Sequence, residues 1–301
     1  MNAATSELLN RKVGELRNLP AMPAVLRSLS ECLSQDPSTV SIEKVVDLIS
    51  YDKSLASQCL RMANSALFQR KSTVESIRDA VVALGIRNIR DLVYSVSIPK
   101  LFANAKSGMH PDIFWRHALG TALVSQHFAY RLSIRPYEKF YLAGLLHDIG
   151  ILVNALLFPK EFTEILRSAE ETETPLCEVE QAVLGFMHCE SGRILADIWK
   201  LPPDVCDAIE YHHQPPREGE HAEVVNVVYL ADLLCRLRGL GYGYYEARDF
   251  DLASEPAWQF LAAKYPGAHR LDMARFTFEL DGFTTEVGEL VDSIFAAESR
   301  K

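Results

Sequence analysis

The stretch LAGLLHDIGILVNALLF, residues 142–158, decides how this sequence is interpreted. It is an apolar run that a single polar pair, His147 and Asp148, interrupts near the middle. Such a run is typical of a buried helix, and it is too short and too polar at its centre to cross a bilayer. A carboxylate on a buried helix is costly unless it is paired or binds a metal ion. The pair therefore predicts a buried site.

The same combination recurs through the second half of the chain. Five of the nine histidines and two aspartates lie in or beside strongly apolar helical segments, in the order H…HD…H…HH…D. Imidazoles and carboxylates are good ligands for Fe, Mn, Zn, Ni and Co. Together these seven residues predict a site for one or two divalent metal ions: His117, His147, Asp148, His188, His212, His213 and Asp232.

Each residue also has a simpler interpretation when it is taken alone. A single buried histidine is more often a hydrogen-bonded core residue than a ligand. Asp232 could be a buried cap or an ion-pair partner, and His212-His213 could form a solvated last turn, where imidazolium suits the helix dipole. The metal hypothesis therefore depends on the whole set of residues.

Neighbouring positions on a helix point about 100° apart, so His147 and Asp148 cannot hold one ion as an i, i+4 pair would. They can flank a site in which the Asp148 carboxylate bridges two ions. Two ions roughly 4 Å apart suit the hydrolysis of a phosphate ester. If the protein is an enzyme, Asp148 is therefore the predicted catalytic residue.

Composition limits the compartment and the partners. None of the six cysteines is paired as C-x-x-C, which favours buried, reduced thiols in a cytosolic protein. Cys189, next to His188, is a less favoured alternative metal ligand. The N-terminus has no signal-peptide pattern, so we expect a cytoplasmic protein that does not contact a membrane. The net charge of -9 argues against a nucleic-acid partner.

Helical periodicity dominates the chain, and no alternating strand pattern persists, so the predicted fold is all-α. One predicted helix covers 137–148, and another covers 175–188. The polar stretch ANAKSGMHPD, residues 103–112, is the clearest break. We therefore expect an N-terminal helical subdomain over 1–108, a metal-binding subdomain over 109–240 and a helical tail over 241–301.

The order of these histidines and aspartates resembles the ligand set of HD-superfamily phosphohydrolases, and most closely the binuclear set of the HD-GYP subgroup. Three fragments of the first half are similar to the HDOD family of that superfamily: LPAMP (19–23), LRMANSALF (60–68) and ALGIRNIRDL (83–92). The resemblance covers roughly residues 15–240. It implies an all-helical signalling or regulatory module of bacteria, often coupled to two-component or cyclic-dinucleotide pathways.

Two departures from the HD-GYP pattern argue against hydrolysis of cyclic di-GMP. Ile151 stands where the enzyme motif has lysine, and the segment QPPREGEHAEVVNVV (214–228) lacks the DGxGYP loop. The sequence GYGY at 241–244 comes after Asp232, in the wrong place to substitute. Arg116 is the basic residue expected nearest to the ligands.

We therefore expect a regulatory protein whose His/Asp centre, binuclear by this resemblance, is structural or senses a ligand. It would act by binding a regulatory protein or a small nucleotide. The alternatives are a metal-dependent phosphohydrolase acting on a nucleotide or cyclic nucleotide, and a protein whose site is empty. The sequence does not determine the oligomeric state.

Overall fold

The computed structural model describes residues 19–33, 40–65, 73–103, 110–215, 218–242 and 251–295. Every regular element in these ranges is a helix, and no strand occurs in them, which confirms the predicted all-α class. The chain divides into two compact units. One comprises residues 21–103 and 285–301, and the other comprises residues 1–20 and 104–284. The predicted boundary at 108 lies outside the described residues, and the three-part division stays a prediction.

In the described part of residues 21–103, five helices turn their apolar stripes inward and bury residues such as Leu26 and Ile49. Ser41 begins the second helix by accepting a hydrogen bond from the Lys44 backbone N–H at 3.3 Å. The helices are α1 (Ala24–Leu33), α2 (Ile42–Ser50), α3 (Lys53–Ala63), α4 (Ile77–Leu84) and α5 (Ile86–Leu101).

The second unit is a bundle in which three helices, α6, α7 and α13, pack against one another, and α8, α11 and α12 complete the core. Short 3-10 turns occur at Leu252–Ser254 and Ala268–Arg270. Its helices are α6 (Pro111–Leu132), α7 (Glu138–Leu146), α8 (Ile149–Leu157), α9 (Pro159–Thr172), α10 (Leu176–Val183), α11 (His188–Trp199), α12 (Pro203–Tyr211), α13 (Ala222–Leu237) and α14 (Pro256–Lys264). The last helix, α15 (Met273–Phe295), belongs partly to each unit.

The apolar segment Lys139–Leu157 belongs to the core of this second unit. Its mean hydropathy of 1.7 would allow a bilayer span by composition, but 89% of the segment is buried inside the protein. The segment comprises α7, a turn and α8 rather than one straight helix. It is therefore a core element of the bundle.

Two predicted helices end earlier than expected, and the turn that follows each of them positions a predicted ligand. The helix predicted over 137–148 ends at Leu146, and Asp148 adopts φ -100° and ψ 14° in the turn before α8. The helix predicted over 175–188 ends at Val183, and Gly185 follows with φ 82°, a conformation that glycine adopts without strain. His188 then begins α11 instead of ending α10. Short apolar segments carry no periodicity signal for such turns.

Helices α8 and α11 approach closely at Gly150. A Cβ atom at Gly150 would lie 1.8 Å from the His188 carbonyl oxygen and 2.7 Å from the Gly192 backbone nitrogen. Only a residue without a side chain permits this approach. The glycine therefore lets the turn that carries Asp148 meet the start of α11, where His188 lies.

Candidate metal centre

The structure brings all seven predicted side chains together around the carboxylate of Asp148. Six of them are buried, with side-chain exposures of 5% or less, and His213 is half-buried. They come from five places in the bundle: α6 (His117), the α7–α8 turn (His147 and Asp148), the start of α11 (His188), the end of α12 (His212 and His213) and the middle of α13 (Asp232).

One oxygen of Asp148 faces the first half-site, which we define as His188, His212 and His213. Asp148 Oδ1 is 3.1 Å from His188 Nε2 and 2.9 Å from His212 Nε2. His213 Nε2 is 3.0 Å from His188 Nε2. Three imidazole nitrogens and one carboxylate oxygen therefore surround a common point.

The other oxygen faces the second half-site, which we define as His117, His147 and Asp232. Asp148 Oδ2 is 3.0 Å from His147 Nε2 and 3.8 Å from His117 Nε2. Asp232 Oδ1 is 3.0 Å from His117 Nε2. A carboxylate with one oxygen toward each set of ligands is suited to bridge two cations, as in two-metal sites.

The four fully buried histidines are oriented in one way, with Nδ1 turned outward to an acceptor and Nε2 turned inward. An acceptor that cannot donate requires Nδ1 to carry the hydrogen, which leaves Nε2 free to bind a cation. Metal-binding histidines are held by outer acceptors of this kind. The acceptors are Leu240 O for His117 at 2.5 Å, Gly144 O for His147 at 2.8 Å, Glu180 Oε2 for His188 at 2.6 Å and Ile209 O for His212 at 3.0 Å.

The pKa values of the cluster reflect the attraction of the Asp148 carboxylate for positive charge, set against the cost of burial. Burial raises the pKa of Asp148, but the imidazoles, chiefly that of His147, outweigh burial and hold this pKa well below its ordinary value. Burial lowers the pKa of His147 to about 4. Burial also lowers the pKa of His212, but the neighbouring Cys189 and Asp148 outweigh it and raise this pKa to about 9. Protons or metal ions can supply the positive charge that the Asp148 carboxylate attracts.

The Asp148 Oδ1 atom is the observation that tests whether a metal fits. This oxygen is fully buried and faces His188 Nε2 and His212 Nε2 at 3.1 and 2.9 Å; because both rings donate from Nδ1, it accepts no hydrogen bond from a neutral ring and needs a proton or a cation between the atoms. An unsatisfied buried acceptor costs about 1–3 kcal/mol, and more when it is charged. A divalent cation between Oδ1 and the imidazoles would satisfy all of these atoms. The donor set fits the metals expected from the sequence.

Tyr242 is a site residue that the sequence pattern does not predict. Its Oη donates a hydrogen bond to Asp148 Oδ2 at 2.6 Å, and its ring centroid lies 4.3 Å from that of His117. The ring of Phe114 stacks on the ring of Tyr242, with the two centroids 5.6 Å apart. The GYGY stretch reads as a loop in sequence, and its last two residues lie outside the described ranges. Only the tertiary fold shows that Tyr242 closes over the centre.

Glu180 is a second residue that the pattern misses. It is fully buried on α10, where it accepts hydrogen bonds from the His188 backbone N–H at 2.8 Å and from Asn154 Nδ2 at 2.9 Å. Its Oε2 also orients the His188 ring, as described above. In the sequence, a glutamate on an otherwise apolar helix face was the one signal that could have identified Glu180 as a buried, partnered residue.

Arg236 is a basic residue beside the ligands that the sequence pattern does not predict. Arg236 is four positions after Asp232 on α13, and its Nε donates to Asp232 Oδ1 at 2.8 Å, with a further contact from Nη2 to Oδ2. Arg116 is half-buried on α6. Asp232 is thus an ion-pair partner of Arg236 as well as a neighbour of His117.

Replacing Glu180 with glutamine is expected to weaken metal binding by about 10–100-fold, as is typical for the loss of an outer hydrogen-bonding partner of a ligand. The amide NH2 of Glu180→Gln would face donors that now point at a carboxylate, so the His188 ring would lose its fixed orientation. Isothermal titration with Zn²⁺ or Mn²⁺ measures the effect. Glu178→Gln, on the exposed face of the same helix, is the matched control, and an equal loss in both variants would contradict the role given to Glu180.

Comparison with known proteins identifies the family and the fold. A family model for the HDOD domain matches residues 19–215. An HDOD domain protein of unknown function from Geobacter sulfurreducens superposes with a TM-score of 0.83 at 29% identity, covering 97% of this chain and 98% of that one. A candidate phosphohydrolase from Shewanella amazonensis superposes with a TM-score of 0.71 over 93% of this chain and 97% of that one. Its identity of 22% shows likeness of fold alone.

Curated relatives extend beyond the matched region. A protein of Treponema pallidum (strain Nichols) is 25% identical over 238 residues, which cover 77% of this chain and 45% of that protein. The chain spans less than half the length of the curated relatives it matches. Activities and partners of those whole proteins are therefore not carried over.

Proposed function

The chain belongs to the HDOD family, and from that premise we propose that it is a bacterial signal-transduction protein with a closed binuclear metal centre. The centre stabilises the helical bundle, and the protein acts by binding a regulatory protein or a small nucleotide. The observation that carries the metal centre is the buried Oδ1 of Asp148, which faces the inward-turned Nε2 atoms of His188 and His212 at about 3 Å.

The closed form of the centre supports a structural or sensing role. Structural metal sites are filled by protein ligands, whereas catalytic sites keep one position open to water or substrate. Here the Tyr242 hydroxyl occupies the approach to Asp148 Oδ2, and its side chain is 7% exposed. Of the seven predicted ligands only His213 is half-buried, which makes its side of the centre the route to solvent.

A specific observation also favours the alternative, a metal-dependent phosphohydrolase acting on a nucleotide or cyclic nucleotide. The two oxygens of Asp148 face opposite half-sites, which is the arrangement of a bridging carboxylate. Bound ions would supply Lewis-acid polarisation of a phosphoryl group. In this role Asp148 would hold both half-sites in register, and Tyr242 would have to withdraw to admit the substrate.

Metal analysis together with a reporter assay separates the two functions. We expect purified protein to contain about two metal ions per chain, as for other two-metal carboxylate sites, and to gain thermal stability from them. With a generic phosphodiester reporter, bis(p-nitrophenyl) phosphate, and with Mn²⁺, Fe²⁺ or Zn²⁺, we expect no turnover above that of Asp148→Ala. Turnover that Asp148→Ala abolishes would establish the phosphohydrolase, and a chain without metal would contradict both.

Tyr242 offers a direct test that the centre is closed. Replacing it with alanine removes the wall over Asp148 and is expected to speed the extraction of bound metal by a chelator about tenfold or more, since the surrounding shell controls solvent access. The rate is measured with a colorimetric chelator under stopped flow. Tyr242→Phe keeps the ring and should change the rate far less. Equal rates in all three proteins would show that Tyr242 does not limit access.

A further inference from the structure

A cleft of about 730 Å³ lies between α3 and the C-terminal part of α15. All of its lining residues belong to the unit formed by residues 21–103 and 285–301, and none of them belongs to the metal centre. Its volume is in the range of about 300–1,000 Å³ that is usual for small-molecule sites. The cleft has no part in the function proposed above, so its charges and surfaces indicate what else the protein binds.

Positive charge lines the α3 side of the cleft. Lys53 and Arg61 both contribute to the lining, and Ser57 lies midway between them in sequence. Residues at i, i+4 and i+8 share one helix face, so the two basic residues lie on the same side of α3. Both are exposed, and neither forms an ion pair within the described part of the chain. This side of the cleft therefore favours an anionic group.

Negative charge lines the α15 side of the cleft. Glu286 and Glu289 both contribute to the lining, three positions apart on the helix. Neither forms an ion pair with a described residue, and Glu286 Oε2 is buried without a hydrogen-bond partner. Burial and the charge of Glu289 raise the pKa of the Glu286 carboxyl, because no positive group compensates its charge. This side of the cleft therefore favours a cationic group.

The rest of the lining is suited to a peptide. Leu60 and Leu290 supply apolar surface, and Ser57 and Asn64 supply hydrogen-bonding groups. A peptide with free termini has apolar side chains, backbone amides and one charge of each sign. The ends of an extended tripeptide lie up to about 10 Å apart, so its two charges can reach different sides of the cleft. A nucleotide would bring phosphate charge beside the two glutamates, and like charges repel, so the cleft disfavours it.

We propose that this cleft binds a short peptide with free termini. The ammonium group of the peptide lies beside the two glutamates of α15, and its carboxylate lies beside Lys53 and Arg61. The opposite charges of the two sides fix the direction in which the peptide binds, and the two leucines of the lining favour apolar side chains. The proposal does not depend on the metal centre, because the two sites share no residue.

Isothermal titration of the whole chain with the tripeptide Leu-Ala-Leu tests the proposal, and the N-acetylated and C-amidated forms of the peptide test each charge. We expect Glu286→Gln to bind the free peptide about tenfold or more weakly, the factor for losing a hydrogen bond to a charged group, and to bind the acetylated peptide as the wild type does. We expect Arg61→Gln to lose about two- to fivefold for the free peptide, the scale of an exposed ion pair, and nothing for the amidated one. Glu75→Gln, which changes an exposed carboxylate of the same unit, is the matched control.

The wild type alone decides the main point, so the test does not depend on how well a variant folds. It should bind the free peptide more tightly than either blocked form, and no saturable binding, or equal affinity for all three peptides, would overturn the proposal. A Glu286→Gln variant that loses as much affinity for the acetylated peptide as for the free one would also overturn it. Metal content should be the same in every variant, so none of these results bears on the metal centre.

Discussion

Asp148→Ala is expected to release both metal ions and to remove the stability that they confer. Asp148 has one carboxylate oxygen facing each half-site, with Oδ1 near His188 and His212 and Oδ2 near His147. A ligand at 100 times its dissociation constant stabilises a protein by about 2.7 kcal/mol, so the loss of two ions at that excess is expected to cost roughly twice as much. Metal content by plasma mass spectrometry and unfolding in urea measure the two effects.

The same substitution should behave differently once metal has been removed. In a chelator-treated protein, alanine still leaves the Tyr242 hydroxyl and the imidazoles without the buried carboxylate, a loss that typically costs about 3–5 kcal/mol, but it removes no bound ion, so the variant should fall less far below the wild type than it does with metal. Asp197→Ala is a suitable control because Asp197 lies exposed on α11, where it pairs with Arg193. If Asp148→Ala destabilised the protein equally with and without metal, the cluster would be an ordinary hydrogen-bonded core.

Gly150→Ala is expected to be the most disruptive single-methyl change in the second unit. The added Cβ would lie 1.8 Å from the His188 carbonyl oxygen, and this atom belongs to the backbone and cannot rotate away. Overpacking usually costs about 1–3 kcal/mol, and a clash with backbone places this variant at or above the upper end. Moving α11 away would also shift His188 from Asp148, so we expect metal affinity to fall with stability.

Gly282→Ala provides the comparison for Gly150. Gly282 lies in α15, where a Cβ would meet nothing within 4 Å. Alanine is the better helix former by about 0.8–1.0 kcal/mol, so this variant should be neutral or slightly more stable. Urea unfolding of both variants measures the contrast. A Gly150→Ala protein with wild-type stability and metal content would show that the close approach of α8 and α11 is not needed.

Much of the fold and the ligand set could be predicted from sequence because both depend on burial. Helical periodicity marks the apolar faces, and a carboxylate such as Asp148 within an apolar run stands out because its burial needs a partner. The turns at His147–Asp148 and at Gly185 could not be predicted, since short apolar segments give the same pattern as a continuous helix. The adjacent His147 and Asp148 reach one cluster because they leave the helix, not because of their helical spacing.

The residues around the ligands could not be found in the same way. Tyr242 reaches Asp148 from 94 positions away, and Glu180 reaches His188 from only eight positions away but across the turn at Gly185. Arg236, by contrast, lies only four positions from Asp232, and the i, i+4 spacing was a signal available in the sequence. Local patterns thus identify ligands, while tertiary contacts determine which groups orient and cover them.

Anomalous diffraction from crystals grown with Zn²⁺ and Mn²⁺ tests most directly whether the seven side chains converge because they share cations. Data collected on both sides of each metal edge should give two peaks, about 3.5–4 Å apart, one on each side of the Asp148 carboxylate. One peak should lie beside His188 and His212 and the other beside His147 and His117. Crystals grown with both metals that show no peak near Asp148, with the imidazoles in the same positions, would contradict the metal centre.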